Sequence, residues 1–357
     1  SQFVGFDSPA QAADDSRSAE IQKNIDFYKQ ADKLLLEGYT GKRDPRKKTV
    51  GVPFALMIHK FFPMANAFFT SLGFNVVLTD PTSEETIRLA QQTAQGETCY
   101  PVKLIYGHMQ QLIDQKVDYI FLPTIHTMKH EKSRVKHNYG CVYMQTAAAS
   151  IAKALDIESK GITLLSPVFD FDFGQEAMAS AMLGLSKILG IPKPFCAKAL
   201  LSGAMAVRRH TAAVEKQGKA LLATLRPDDK VLVLITRNYG VSDPILNMGI
   251  PELLLERGYK VITLSHLPGH ALDISDEYAI LTNHGCGPDT MLSHLFKQEM
   301  GDKPYLQIEV DEHFSNVGVI TRIEAFLNSL QHRPAVALPT DFNIEQVDIH
   351  PCRLAQT

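Results

Sequence analysis

Short apolar runs separated by helix-length amphipathic stretches constrain this chain more than any other feature. Thr49-Val50-Gly51-Val52-Pro53 precedes a helical stripe over 59–72; Phe74-Asn75-Val76-Val77-Leu78-Thr79 precedes a helix opened by Ser83-Glu84-Glu85. Val117-Asp118-Tyr119-Ile120-Phe121-Leu122-Pro123, a helix to about Leu155 and a run over 161–165 continue the alternation. Runs this short and apolar suit strands buried on both faces, and helices between successive strands make them parallel. The pattern pauses over 175–189 and 193–225, two helical stretches without strand signals. It resumes with strands at 230–235, 259–264, 278–282 and 304–310, and helices at 245–257, after Cys286 and at 315–330. The reading is an α/β fold: two doubly wound, Rossmann- or flavodoxin-like parallel-sheet lobes, 49–170 and 229–331, bridged by helices over 171–228. No sequence repeat relates the halves. Before them, 1–48 holds a polar opening expected to be mobile through residue 17, a helix from Ser18 to about Gly38 and a basic connector over 42–48. The buried stripe of that helix would be Ile21, Ile25, Tyr28, Leu35 and Leu36. The tail, 332–357, has little periodicity and is expected to wrap or dangle.

Composition narrows the function. A 357-residue chain with 45% hydrophobic residues has room for more than one core, and a net charge of −3 gives no electrostatic footprint for nucleic acid. No apolar stretch approaches the roughly 18 residues of a membrane span, and the opening residues are not expected to act as a signal peptide. Five cysteines, an odd number, fit a reducing cytoplasm better than a disulfide framework. The chain begins at Ser1 without Met, so a processed product or a piece of a longer protein is expected.

Three of the five cysteines share a setting. Cys99, in Gly96-Glu97-Thr98-Cys99-Tyr100-Pro101-Val102-Lys103, stands before a helical run with Pro101 in its first turn. Cys141, in Asn138-Tyr139-Gly140-Cys141, follows the 117–123 strand; Cys286, in Asn283-His284-Gly285-Cys286-Gly287-Pro288-Asp289, follows the 278–282 strand. Ligands of open α/β sheets collect beyond the carboxyl ends of strands, where these loops lie. A thiol at a helix N-terminus meets unpaired N–H groups and the positive end of the helix dipole, both of which favour the thiolate that binds soft metals. The spacing matches no zinc-finger or ferredoxin run, and free cysteine is otherwise a small buried hydrophobe, which suits Cys196 and Cys352.

Other motifs are absent or less specific. There is no phosphate-binding G-x-x-x-x-G-K-[ST], no G-x-G-x-x-G, no H-E-x-x-H and no G-x-S-x-G. His126, His130 and His137 read as a solvated basic loop before they read as a metal site. Asp311-Glu312-His313 reads as capping and surface charge before acid–base chemistry. Asp170, Phe171, Asp172 and Phe173 make an acidic-aromatic loop of no evident use. Thr236-Arg237-Asn238-Tyr239-Gly240 serves equally as a pocket wall or a structural turn.

Taken together, several segments resemble a known superfamily. Glu97 to Lys103 with Gly107-His108, the 117–123 strand, Asn247-Met248-Gly249-Ile250-Pro251, His284 to Asp289, and Asp311-Glu312-His313 with 318–326 are similar to the activase-related domain of the 2-hydroxyacyl-CoA dehydratase and double-cubane cluster protein superfamily. The likeness covers about 49–330. It implies two α/β lobes with an iron–sulfur cluster between them, held by Cys99 and Cys141 from the first lobe and Cys286 from the second. The cluster would be 4Fe-4S, or an 8Fe-9S double cubane shared across a homodimer. The implied partner is an ATP-hydrolysing activator of the actin-like class, separate or fused upstream, that injects low-potential electrons. The implied activity is reduction of a small substrate; the alternatives are a component of a radical 2-hydroxyacyl-CoA dehydratase acting on a CoA ester, or a non-catalytic scaffold that docks an ATPase. Glu97, His108 and Tyr239 are the candidates for supporting the ligands or delivering protons.

Overall fold

The computed structural model describes residues 9–128, 137–226, 229–263, 266, 278–284 and 286–331. The 332–357 tail, Cys352, His130 and residues 1–8 lie outside the described residues. The alternation builds two parallel four-stranded sheets. In the first lobe β1 (Thr49–Val52), β2 (Asn75–Leu78), β3 (Tyr119–Phe121) and β5 (Thr163–Leu165) run in the order β2-β1-β3-β5. In the second, β7 (Val231–Ile235), β8 (Lys260–Thr263), β9 (Tyr278–Asn283) and β10 (Tyr305–Glu309) run in the order β10-β9-β7-β8. Both are the same arrangement: the first strand is interior, the second lies to one side, and the third and fourth to the other. The halves therefore repeat in topology although their sequences show no repeat.

The helices arise largely where the periodicity puts them. These are α2 (Ile58–Ser71), α3 (Glu84–Thr93), α4 (Tyr100–Asp114), α5 (Val142–Ala154), α6 (Gly174–Leu189), α7 (Lys193–Leu222), α10 (Gly287–Met300) and α11 (Asn316–Gln331). Ser83 caps α3, its hydroxyl accepting from Thr86 N at 3.3 Å while the Thr86 hydroxyl accepts from Ser83 N. The bridging helices join the lobes through packing as well as through the chain. Met182, Leu185 and Ala199 enter the first core with Phe62, Phe69 and Ile120. Leu221, in the last turn of α7, packs with Val231 and Ile262 of the second sheet.

Four expectations are corrected. Helix α1 (Pro9–Leu35) begins nine residues before Ser18, so 9–17 is helical; Pro9 suits a first helical position and Ala10, Ala12 and Ala13 favour helix. Of its expected stripe, Leu35 is buried but Leu36 lies past the helix end and is exposed. A two-stranded parallel sheet of β4 (Thr124–Thr127) and β6 (Val168–Asp170) extends beyond the first sheet, in segments read as loop. The 245–257 helix starts only at Ile250, as α9 (Ile250–Glu256), and a separate short α8 (Asn238–Ser242) precedes it. Between them Asp243 Oδ1 accepts from the Ile245 and Leu246 amides, and Asn247 Oδ1 accepts from Gly249 N. These local bonds offer the backbone an alternative to the helix.

One glycine fixes how α4 lies. A Cβ on Gly107 would sit 2.1 Å from the Thr86 carbonyl oxygen of α3. Alanine ordinarily favours a helix interior by about 1 kcal/mol, but overpacking costs about 1–3 kcal/mol. Gly107→Ala is expected to lower the urea midpoint; a raised midpoint would show that α3 yields freely.

Candidate functional site

Cys99, Cys141 and Cys286 are the N-caps of α4, α5 and α10, each with extended backbone (φ −63°, −62° and −97°). Cys141 and Cys286 occupy equivalent places, after the third strand of their respective lobes and before the helix leading to the fourth. The three thiols interact: a negative charge on Cys286 or Cys141 opposes ionisation of Cys99, and one on Cys141 opposes ionisation of Cys286. The structure thus brings together the three cysteines that share a sequence setting. Cys196 is fully buried on α7, and none of the four described cysteines is in a disulfide.

The expected thiolate is not favoured. Burial, reinforced by the two neighbouring thiols, pushes the Cys99 thiol from 9.0 up to about 11, although the Val102 amide opposes the shift. Burial also raises Cys286. At both thiols, which are half-buried, desolvation outweighs the helix terminus. Alkylation of Cys99 in the metal-free chain is therefore expected to be slow at neutral pH and to rise until about pH 11. Peptide mass spectrometry across a pH series checks this; a plateau below pH 9 would contradict it.

Around Cys286 the second lobe supplies a charged wall. Arg237, the N-cap of α8, donates to both carboxylate oxygens of Asp289 (Nε–Oδ2 3.2 Å, Nη2–Oδ1 2.5 Å), and its Nη2 lies 3.9 Å from Cys286 Sγ. Tyr239, buried two residues on, has its phenol pushed up by burial, with Cys99, Asp289 and Cys286 adding to the shift, so it stays protonated near the thiols. Its ring meets His284 edge-on, with centroids 5.3 Å apart. Gly240 permits this packing, because a Cβ there would lie 2.2 Å from Thr236 Oγ1 and 2.7 Å from His284 Cε1.

The small β4–β6 sheet holds the approach to Cys141. Asp170 accepts from the Thr127 hydroxyl and pairs with His126 Nδ1 at 2.8 Å. Asp172 accepts from both the backbone and side-chain nitrogens of Asn138. Gly140 N donates to His126 O at 2.8 Å, and a Cβ on Gly140 would come 3.0 Å from Ile125 O. The acidic-aromatic loop thereby acquires a use, and His126 belongs to a strand rather than a solvated loop. His137 lies against Tyr139 and Phe173.

The loops at the carboxyl ends of the two sheets meet. Lys103 on α4 pairs with Glu312, just past β10, at 2.6 Å, and Phe314 packs against both cores. Glu97 is 90% exposed and reaches Lys103 only at 3.9 Å. His108 is fully buried further along α4, where burial drives its pKa down to about 3; its ring nitrogens bond Thr79 and Thr82. Tyr239 stands among the thiols. Sequence reasoning did not single out Arg237 or Asp289 as site residues. The signal was the position of Arg237 just past a strand, but which strand lies beside it depends on the β7–β9 pairing.

Among the described residues no three His, Cys, Asp or Glu side chains converge tightly enough to hold one metal ion. Three interacting thiols on separate helix ends suit a larger, soft, multi-atom group. Two buried polar atoms beside them, Thr236 Oγ1 and His284 Nδ1, have no protein partner and could serve such a group. The residues therefore fit an iron–sulfur cluster. No helix among the described residues is long and apolar enough to cross a membrane.

The fold is two parallel α/β lobes that carry Cys99, Cys141 and Cys286 at helix N-caps. Residues 49–267 match the family model described as CoA enzyme activase uncharacterised domain (DUF2229), and the chain belongs to that family. No curated protein matches the chain. Solved structures with some likeness include glucosamine-6-phosphate deaminase from Thermotoga maritima, at 10% identity and a TM-score of 0.20, covering 90% of this chain and 98% of that one. Another is tagatose-6-phosphate ketose/aldose isomerase from Escherichia coli, at 11% identity and 0.23, covering 91% and 95%. A third is the C-terminal domain of glucosamine-fructose-6-phosphate aminotransferase from Francisella tularensis, at 9% and 0.21, covering 92% and 96%. Scores this low carry no functional weight.

Proposed function

We propose that the chain is an iron–sulfur protein that takes low-potential electrons from an ATP-hydrolysing activator of the actin-like class and passes them to a small substrate. The observation that carries the reading is the meeting of Cys99, Cys141 and Cys286, three helix N-caps from two lobes, in one interacting group. When bound, such a cluster supplies one-electron reduction. Cys99 and Cys141 would hold it from the first lobe and Cys286 from the second, each giving up its thiol proton on loading. Arg237 offsets negative charge at Cys286 and donates toward its sulfur. Tyr239 keeps a proton at its Oη close to the thiols. The family's description as a CoA enzyme activase supports an activator-linked role. Three cysteines from one chain leave open the sharing of a double cubane across a homodimer.

The test is iron and acid-labile sulfide in anaerobically prepared protein. About four of each per chain is expected for a cubane held by this ligand set. Zinc, or no metal after anaerobic reconstitution, would overturn the reading. Radical dehydration of a 2-hydroxyacyl-CoA would move the substrate to a CoA ester.

A further inference from the structure

A chain of buried hydrogen bonds crosses from the first lobe to the second, and its directions can be assigned. Asp243 Oδ1 accepts the amides of Ile245 and Leu246 at 3.0 Å each, and Oδ2 faces the Thr82 hydroxyl. The Thr82 amide is directed at it too, and a carboxylate with four donors aimed at it accepts from all of them, so the Thr82 hydroxyl donates. Thr82 Oγ1 must then accept from His108 Nε2, 3.1 Å away, which fixes the neutral tautomer with the proton on Nε2. His108 Nδ1 accepts from the Thr79 hydroxyl at 2.8 Å, and Thr79 Oγ1 accepts from Phe54 N at 2.8 Å. Thr79, Thr82, His108 and Asp243 are each no more than 3% exposed.

Two members of this chain, one from each lobe, bear on the cysteines. His108 sits on α4, whose N-cap is Cys99. Asp243 closes α8 through its amide, which donates to Tyr239 O at 2.9 Å, and α8 carries the Arg237 and Tyr239 that line Cys286. We propose that Thr82, His108 and Asp243 are positioning residues: an interlobe latch that sets Cys286 and its charged wall against Cys99 and Cys141. The inference rests on the reading that the three thiols form one site. It does not require that the site hold a cluster. His108 on this account acts through Thr82 and not as a proton donor to substrate.

The test is thiol labelling of the reduced, metal-free full chain with iodoacetamide at one pH, with each cysteine followed by peptide mass spectrometry. Thr82→Val keeps the shape and removes the donor; Thr82→Ser keeps the donor. Losing one buried hydrogen bond of this kind costs about 1.4 kcal/mol, equivalent to about a tenfold change. Thr82→Val is therefore expected to label Cys99 about tenfold faster, as the lobes part more often. Cys196, fully buried on α7 of the helical bridge, should keep its wild-type rate, and Thr82→Ser should label like wild type. Equal acceleration of Cys196 would mean general loosening and would overturn the proposal, as would an unchanged Cys99 rate. Should Thr82→Val not fold, Asp243→Asn, which places a second donor against Thr82, is expected to give the same selective pattern, and a wild-type pattern from it would overturn the proposal. A wild-type chain that holds no iron would defeat the cluster reading and leave this result standing.

Discussion

Replacing Cys286 by serine in the anaerobically prepared chain is expected to reduce iron and acid-labile sulfide from about four of each per chain to below about one. Cys286 is the only one of the three thiols that comes from the second lobe, at the end of β9. Without it Cys99 and Cys141 would grip a cluster from one side only, with no further described cysteine near enough to replace it. A serine hydroxyl keeps the shape, but it is a harder and far less acidic ligand than a thiol, so it does not compensate. Cys99→Ser and Cys141→Ser are expected to lose metal to the same extent, whereas Cys196→Ser, whose side chain is fully buried on α7, should retain it. The pattern across the four variants carries the test. Uniform loss would mean unfolding, and uniform retention would return the cysteines to packing and favour the scaffold reading.

The sequence makes the lobes legible because strands such as Val231–Ile235 are buried along almost their whole length, leaving a continuous apolar signal. The helix starts are legible at Cys99 and Cys286 for a local reason: Pro101 and Pro288 stand in the first turn. Elements whose stability comes from remote partners are not legible. Thr124-Ile125-His126-Thr127 alternates burial and carries polar side chains; it pairs as a strand because Asp170 on β6 takes up Thr127 and His126. The short α8 owes its end to Asp243, whose partner Thr82 lies 161 residues away in sequence. At the site, motif context suffices to single out the three cysteines. Their proton affinity follows instead from burial and from one another, which overrides the helix-end argument that sequence supplies for each alone. For the same reason the sequence offers Arg237 only as part of a pocket wall or a turn: its importance comes from Asp289 on a neighbouring segment of the sheet edge.

That pair makes the second large prediction, in which stability and reactivity separate. Arg237→Met leaves the Asp289 carboxylate, 17% exposed, beside Cys286 without its cation. Breaking a buried ion pair from one side costs about 3–5 kcal/mol, but the Arg237 side chain is 37% exposed, so screening brings the expected loss in urea unfolding to about 2 kcal/mol. Asp289→Asn should cost less, about 1 kcal/mol, because the guanidinium still reaches solvent and keeps a hydrogen-bonding partner. The two substitutions lower stability in the same direction yet act oppositely on the Cys286 thiol. Arg237 lowers its pKa and the Asp289 charge raises it, while the helpful Asp289 amide is kept by asparagine. Arg237→Met is therefore expected to slow alkylation of Cys286 in the metal-free chain at neutral pH, and Asp289→Asn to speed it. Loosening of the fold would speed both. Opposite signs at Cys286 with a common sign in urea would show that Arg237 acts on the thiol through its charge, and equal signs at Cys286 would reduce the pair to a structural clasp at the start of α10.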